Sequence, residues 1–172
     1  MNADNSHRRK IIIGVMGPGA KATASDLQNA YQLGLLIAQQ GWVLLTGGRN
    51  LGVMDAASLG AKAANGLTIG ILPTVDTNAI SSSVDIAIVT DMGNARNNIN
   101  VLSSDVVIAC GMGAGTASEI ALALKEDKKV ILVNDNKESK DFFKKLLPQN
   151  LYIVDSPAAA IKTVEEILVK QV

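Results

Sequence analysis

Short apolar runs rich in Val, Ile and Leu recur along the chain at 11–16, 42–46, 67–72, 84–89, 105–109, 130–133 and 151–154. They are continuous rather than alternating, which predicts strands buried on both faces. Between most of them the apolar positions take helical spacing, as in Leu27, Tyr31, Gly34, Leu35 and Ala38, with Ser25 and Asp26 as the expected caps and Gly41 as the stop. Further helices are expected to begin near Leu51, Ala95, Thr116, Ser139 and Pro157. Strands alternating with helices through short connections predict an α/β fold. Its parallel sheet would have about seven strands and helices on both faces.

In an open sheet of this kind, ligands bind beyond the carboxyl ends of the strands, where the strand order reverses. Those ends are legible: Gly17-Pro18-Gly19, Thr46-Gly47-Gly48-Arg49-Asn50, Leu72-Pro73-Thr74, the polar stretch 90–97 and the glycine-rich stretch 110–116. Most of the glycine-rich segments and both interior arginines, Arg49 and Arg96, fall on this one rim, which is therefore the expected site.

The size of the chain, 172 residues with 48% hydrophobic and 19% charged, suits one compact soluble domain over 11–172. The polar residues 1–10 read as a flexible N-terminal arm and not as a signal peptide. Sixteen basic residues cancel sixteen acidic ones, so the chain lacks the electrostatic footprint of a nucleic-acid or membrane binder, and a charged ligand must be held locally. Position matters more than the total: all 15 glycines lie between Gly14 and Gly115, and 11–124 holds only Lys21, Arg49, Lys62 and Arg96 as basic residues. The lone cysteine, Cys110, excludes a disulfide framework and reads as a small core residue of a cytoplasmic protein. The single histidine, His7, lies in the arm, which removes histidine-based metal sites and triads. No protein-ligated metal is expected.

The chemistry is concentrated in three places. Gly111-Met112-Gly113-Ala114-Gly115-Thr116 follows a strand and opens a helix, so its amides and the helix dipole can face an anion. A turn that merely requires positive φ explains the same glycines, and neither G-x-G-x-x-G nor a P-loop is present. Gly47, Gly48, Arg49 and Asn50 repeat the logic, with Arg49 as a fork for phosphate or as a surface ion-pair partner. Arg96 and Glu119 form either a functional pair or a structural one, and Asn94 and Asn97 supply amides suited to a heterocycle edge or sugar hydroxyls.

These residues carry a resemblance. Gly17-Pro18-Gly19, Gly47-Gly48 through Gly52-Val53-Met54, Arg96-Asn97-Asn98 and the stretch Gly113-Ala114-Gly115-Thr116-Ala117-Ser118-Glu119 resemble the LOG-type, "lysine decarboxylase-like" Rossmann superfamily over nearly the whole chain. Within it the sequence is most similar to the molybdenum cofactor carrier branch. The superfamily's hydrolases release a base from a nucleoside monophosphate and carry P-G-G-x-G-T-x-x-E. Here Gly111 and Met112 replace the first Pro-Gly and Asn97 stands where a lysine follows the arginine, while Gly113, Gly115, Thr116 and Glu119 match. The resemblance thus implies a small anionic ligand, the molybdenum cofactor, bound by Gly17, Pro18, Gly19, Gly47, Gly48, Arg49, Asn50, Asn94, Arg96, Asn97, the 111–116 loop and Glu119. The alternative it implies is a phosphoribohydrolase in which Arg96 and Glu119 are catalytic. It further implies a homo-oligomer, dimer or tetramer, with the small-residue helices at 56–64 and 117–124 as candidate contacts, and molybdenum enzymes as acceptors.

Overall fold

A computed structural model describes residues 9–133 and 137–170. The expected arm lies outside them except for Arg9 and Lys10. Arg9 pairs with Asp105, whose second oxygen accepts the Ile12 N–H at 2.8 Å. The chain alternates strands and helices: β1 (Ile12–Met16), α1 (Ala24–Gln39), β2 (Val43–Thr46), α2 (Gly52–Ala63), β3 (Thr68–Leu72), β4 (Ile86–Val89), α3 (Arg96–Ser103), β5 (Val106–Cys110), α4 (Ala114–Lys125), β6 (Lys129–Val133), α5 (Lys137–Leu146), β7 (Leu151–Val154) and α6 (Pro157–Val169). All seven strands join one parallel sheet in the order β4-β3-β2-β1-β5-β6-β7. This is a single-domain Rossmann-like α/β fold.

Alternate side chains of the central strands feed two cores. Ile13, Val15, Leu44 and Ile108 pack under α1, α2 and α6, while Leu45, Val107, Ala109 and Leu132 pack under α3, α4 and α5. Cys110 is fully buried in the first of these. Continuous apolar runs therefore do mark strands covered on both faces, except at the margins. All four residues of β4 are exposed, and β7 is only partly covered. The reason is position: β4 is the outermost strand, hydrogen-bonded to β3 alone, and lies beyond the covering helices.

Helix α1 starts at Ala24, with its cap two to three residues before those expected at Ser25 and Asp26. Thr23 is the cap: its hydroxyl accepts the Asp26 N–H at 3.2 Å, and the Asp26 carboxylate accepts the Thr23 N–H at 2.9 Å. A capping box needs its acid three residues after the cap, which makes Asp26 a partner and Ser25 a first-turn residue. Helix α4 begins at Ala114 rather than Thr116, and α5 at Lys137 rather than Ser139. No helix among the described residues is long and apolar enough to cross a membrane.

The small residues of α2 serve a close contact within the chain, against α1. A Cβ on Gly60 would lie 1.9 Å from the Tyr31 carbonyl oxygen, and one on Gly34 of α1 would lie 1.9 Å from that of Ala57. Backbones that close leave no room for relaxation. Gly34→Ala is therefore expected to destabilise the fold by about 3 kcal/mol, the strain outweighing alanine's better helix propensity. Urea unfolding of the variant checks this, and a neutral or stabilising result would contradict it.

Candidate functional site

The chain leaves β1 toward β2 on one side and reaches β5 on the other, so the strand order reverses between β1 and β5. A cavity of about 450 Å³ opens at that point, where the loops after β1, β2 and β5 and the start of α3 converge. A space of this size suits a small organic ligand. Of the rim residues expected from sequence, Gly17, Pro18, Gly19, Gly47, Arg49, Asn94, Arg96, Asn97, Gly113, Ala114, Gly115, Thr116 and Glu119 all line it.

Helix α4 supplies one wall. Gly113 occupies its cap position in extended conformation and provides no capping side chain, so the first-turn amides are left open. Thr116 is 1% exposed, and its Oγ1 is buried without a hydrogen-bond partner. A Cβ on Gly115 would meet nothing within 4 Å. Glycine at that helical position costs about 1 kcal/mol relative to alanine. No contact among the described residues requires it, and Gly115 is part of the cavity lining.

The second wall comes from the loop after β2. The Arg96 guanidinium lies against Gly47, whose Cβ would sit 2.6 Å from both terminal nitrogens. Arg49 is exposed at the cavity edge and makes no ion pair among the described residues. Its backbone is fixed by an antiparallel bridge to Ile80, flanked by Ser81 N–H to Gly48 O and Asn50 N–H to Ala79 O, both 2.9 Å.

Glu119 and Arg96 meet on the floor at 3.5 Å, with side chains 7% and 12% exposed. Asn100 Nδ2 donates to Glu119 Oε1 at 2.8 Å, and Asn97 Nδ2 donates to Ser118 Oγ at 2.9 Å. Burial raises the Glu119 pKa above the ordinary carboxylate range, against the opposing pull of the Asn100 hydrogen bond and the Arg96 charge. Burial likewise lowers the Arg96 pKa; Glu119 opposes that and the nearby Arg49 charge adds to it. Arg96 Nε is buried without a partner. The pair is thus an ion pair between helices and a wall of the cavity at once, with donor capacity to spare.

Four expected residues fall outside the lining. Gly48, at φ +74°, and Asn50 secure the 47–50 loop to 79–81. Gly111, at φ +75°, turns its α-carbon toward the Asp26 carboxyl group, and half-buried Met112 packs against the core beneath α3 to α5. Sequence reasoning in turn missed several residues of the lining, among them Met16, Lys21, Leu51 and Met54. Lys21 carries a readable signal, as the sole basic residue between 11 and 48. The apolar three look like any other core residues until the loops are folded over them.

Comparison with known proteins adds a context for this geometry. The profile of the SLOG cluster4 family matches residues 10–161. The solved molybdenum cofactor binding protein of Rippkaea orientalis is 64% identical, covering 93% of this chain and 98% of its own, with a TM-score of 0.92. The Moco carrier protein of Chlamydomonas reinhardtii is 51% identical over 94% of this chain and 99% of its own, with a TM-score of 0.89. A cytokinin riboside 5'-monophosphate phosphoribohydrolase of Mycobacterium tuberculosis is 32% identical over 64% of each chain.

The floor pair generates a pH dependence. Because the folded state raises the Glu119 pKa, its stabilising contribution is complete under acidic conditions and declines as pH rises through the folded value. Against a Glu119→Gln variant, which does not titrate, the wild-type protein is expected to lose stability as pH rises above the ordinary carboxylate range, about pH 4. Denaturant unfolding of both at each pH measures the difference, and a flat difference would show that burial does not govern this carboxyl group.

Proposed function

Since the chain belongs to the SLOG cluster4 family, we propose that it binds and carries the molybdenum cofactor, a pterin bearing a phosphate and an oxomolybdenum group. The observation that carries this reading is a pair of orphaned buried groups, Thr116 Oγ1 and Arg96 Nε, in a cavity faced by an uncapped helix N-terminus. Buried polar atoms without partners are costly, and a ligand anion satisfies them. The donor set fits: open amides of α4 and the Thr116 hydroxyl suit phosphate, Arg49 and Arg96 suit a second oxyanion or the phosphate itself, and Asn94 and Asn97 suit the pterin edge. Gly17, Pro18 and Gly19 let the first loop approach closely, and Gly115 leaves the space that a side chain would fill. The high likeness to a molybdenum cofactor binding protein and to a carrier supports the same ligand.

In this reading Gly48, Asn50, Gly111 and Met112 shape the loops, and Glu119 holds Arg96 in place. The protein acts in the cytoplasm and hands the cofactor to molybdenum enzymes. It does so as a homo-oligomer, dimer or tetramer, a state supported by the exposed apolar strand β4, whose free edge is otherwise a liability. The contact between Arg96 and Glu119 also favours a second reading, a nucleoside monophosphate phosphoribohydrolase.

Anaerobic incubation with released cofactor, followed by gel filtration and assay of pterin and molybdenum, separates the two. The carrier retains cofactor near one per chain and releases no base from nucleoside monophosphates; free base without retained cofactor reverses the conclusion. Arg49→Ala is expected to weaken retention about tenfold, the loss of one charge-assisted contact, with the melting temperature within about 2 °C of wild type. Unchanged retention would take Arg49 out of the site. Gly115→Val is expected to abolish retention while the protein still folds, since only the cavity receives the added atoms.

A further inference from the structure

Lys21 sits where local electrostatics disfavours a cation. It lies two residues before the Thr23 cap of α1, at that helix's positive end, and on the cavity edge shared with the uncapped positive end of α4. Arg49 and Arg96 line the same cavity, close enough to each other for the Arg49 charge to depress the Arg96 pKa. Against these three cations stands one carboxylate in the lining, Glu119, which Asn100 and Arg96 already engage. The nearest acid in sequence, Asp26, is committed to the capping box. Lys21 makes no hydrogen bond or ion pair among the described residues. In a chain whose total charge is zero, this gathering of cations at two helix N-termini costs stability and has no structural return.

We infer that Lys21 is a specificity-determining residue that holds a second anionic group at the cavity mouth, so that the pocket takes ligands bearing two anions rather than one. The first anion occupies the α4 terminus, where Thr116 Oγ1 waits buried and unpartnered. Lys21 is carried by the neighbouring loop after β1, whose Pro18 lies 3.8 Å from where a Cβ on Gly113 would stand, so the two groups face one space from adjacent loops. The inference rests on the carrier reading only for the identity of the natural ligand. A cofactor with a phosphate at one end and an oxomolybdenum group at the other meets the requirement, as does any bis-phosphorylated small molecule.

The test uses inert anions on the full chain. Titration calorimetry compares inorganic phosphate with pyrophosphate and propane-1,3-bisphosphonate, which place a second anion at short and longer separation. Wild-type protein is expected to take at least one bis-anion about fivefold more tightly than phosphate, the scale of one partly exposed charge pair. Lys21→Gln removes that preference, weakening the bis-anion more than phosphate, whereas Lys21→Arg keeps it. Without ligand, Lys21→Gln melts at the same or a slightly higher temperature than wild type. Equal affinity of wild type for one and two anions, or a preference that survives Lys21→Gln, overturns the proposal. So does a Lys21→Gln protein with a lowered melting temperature and an equal loss for every anion, which marks a structural lysine. Cofactor retention by the wild type is scored in parallel. A bis-anion preference without retained cofactor upholds Lys21 and removes the carrier reading, while retained cofactor without that preference does the reverse.

Discussion

A carboxylate held almost out of water sets the terms for the carboxyl end of this sheet. Glu119 is 5% exposed, and an ion so placed persists only with partners close at hand. Asn100 supplies one by reaching across from α3, and Arg96 supplies the other. Arg96 can reach Glu119 only by lying flat on Gly47, so the residue after β2 has no side chain. One buried charge thereby ties α3, α4 and the β2 loop into a single wall. It also fixes the orientation of the guanidinium edge that faces the cavity.

The same wall shows how a neutral chain can gather positive charge in one cleft. Net charge governs long-range steering, but the field inside a cleft depends on which groups line it. Here three acids of the first two thirds of the chain are committed elsewhere: Asp105 to Arg9 and the start of β1, Asp85 to Lys62 and Thr68, Asp26 to a helix cap. Of the four cations between 11 and 124, Lys21, Arg49 and Arg96 are instead left at the cleft, and only Lys62 is paired elsewhere. Open amides at the start of α4 add partial positive charge that no composition count records.

Much of this was legible in the sequence. The continuous apolar runs located every strand to within about two residues, and the glycine loops with Arg49 and Arg96 located the cavity rim. What composition and spacing left open was the division of labour within each loop. Gly47 and Gly48 are neighbours of identical chemistry, yet one receives a guanidinium and the other faces Gly70 across the sheet edge. Gly111 and Gly115 are likewise alike in composition and loop, although one takes positive φ and the other borders empty space. The exposure of β4 escapes the apolar pattern for a related reason: a run such as Ile86–Val89 looks the same whether helices cover it or stop one strand short. Lys21 was visible but had no motif to announce it.

The bridge between Arg49 and Ile80 bears on kinetics as well as shape. A recognition loop that is slack in the free protein must surrender backbone freedom each time it closes on a ligand, at roughly 1–2 kcal/mol per residue. In this molecule the 47–50 loop has already surrendered it to the 79–81 segment when the chain folds. Only the rotamers of Arg49 remain to be fixed at encounter. Capture then has no loop-closing step of its own. The lifetime of any complex at this rim would then depend on how many charge-assisted contacts must break together.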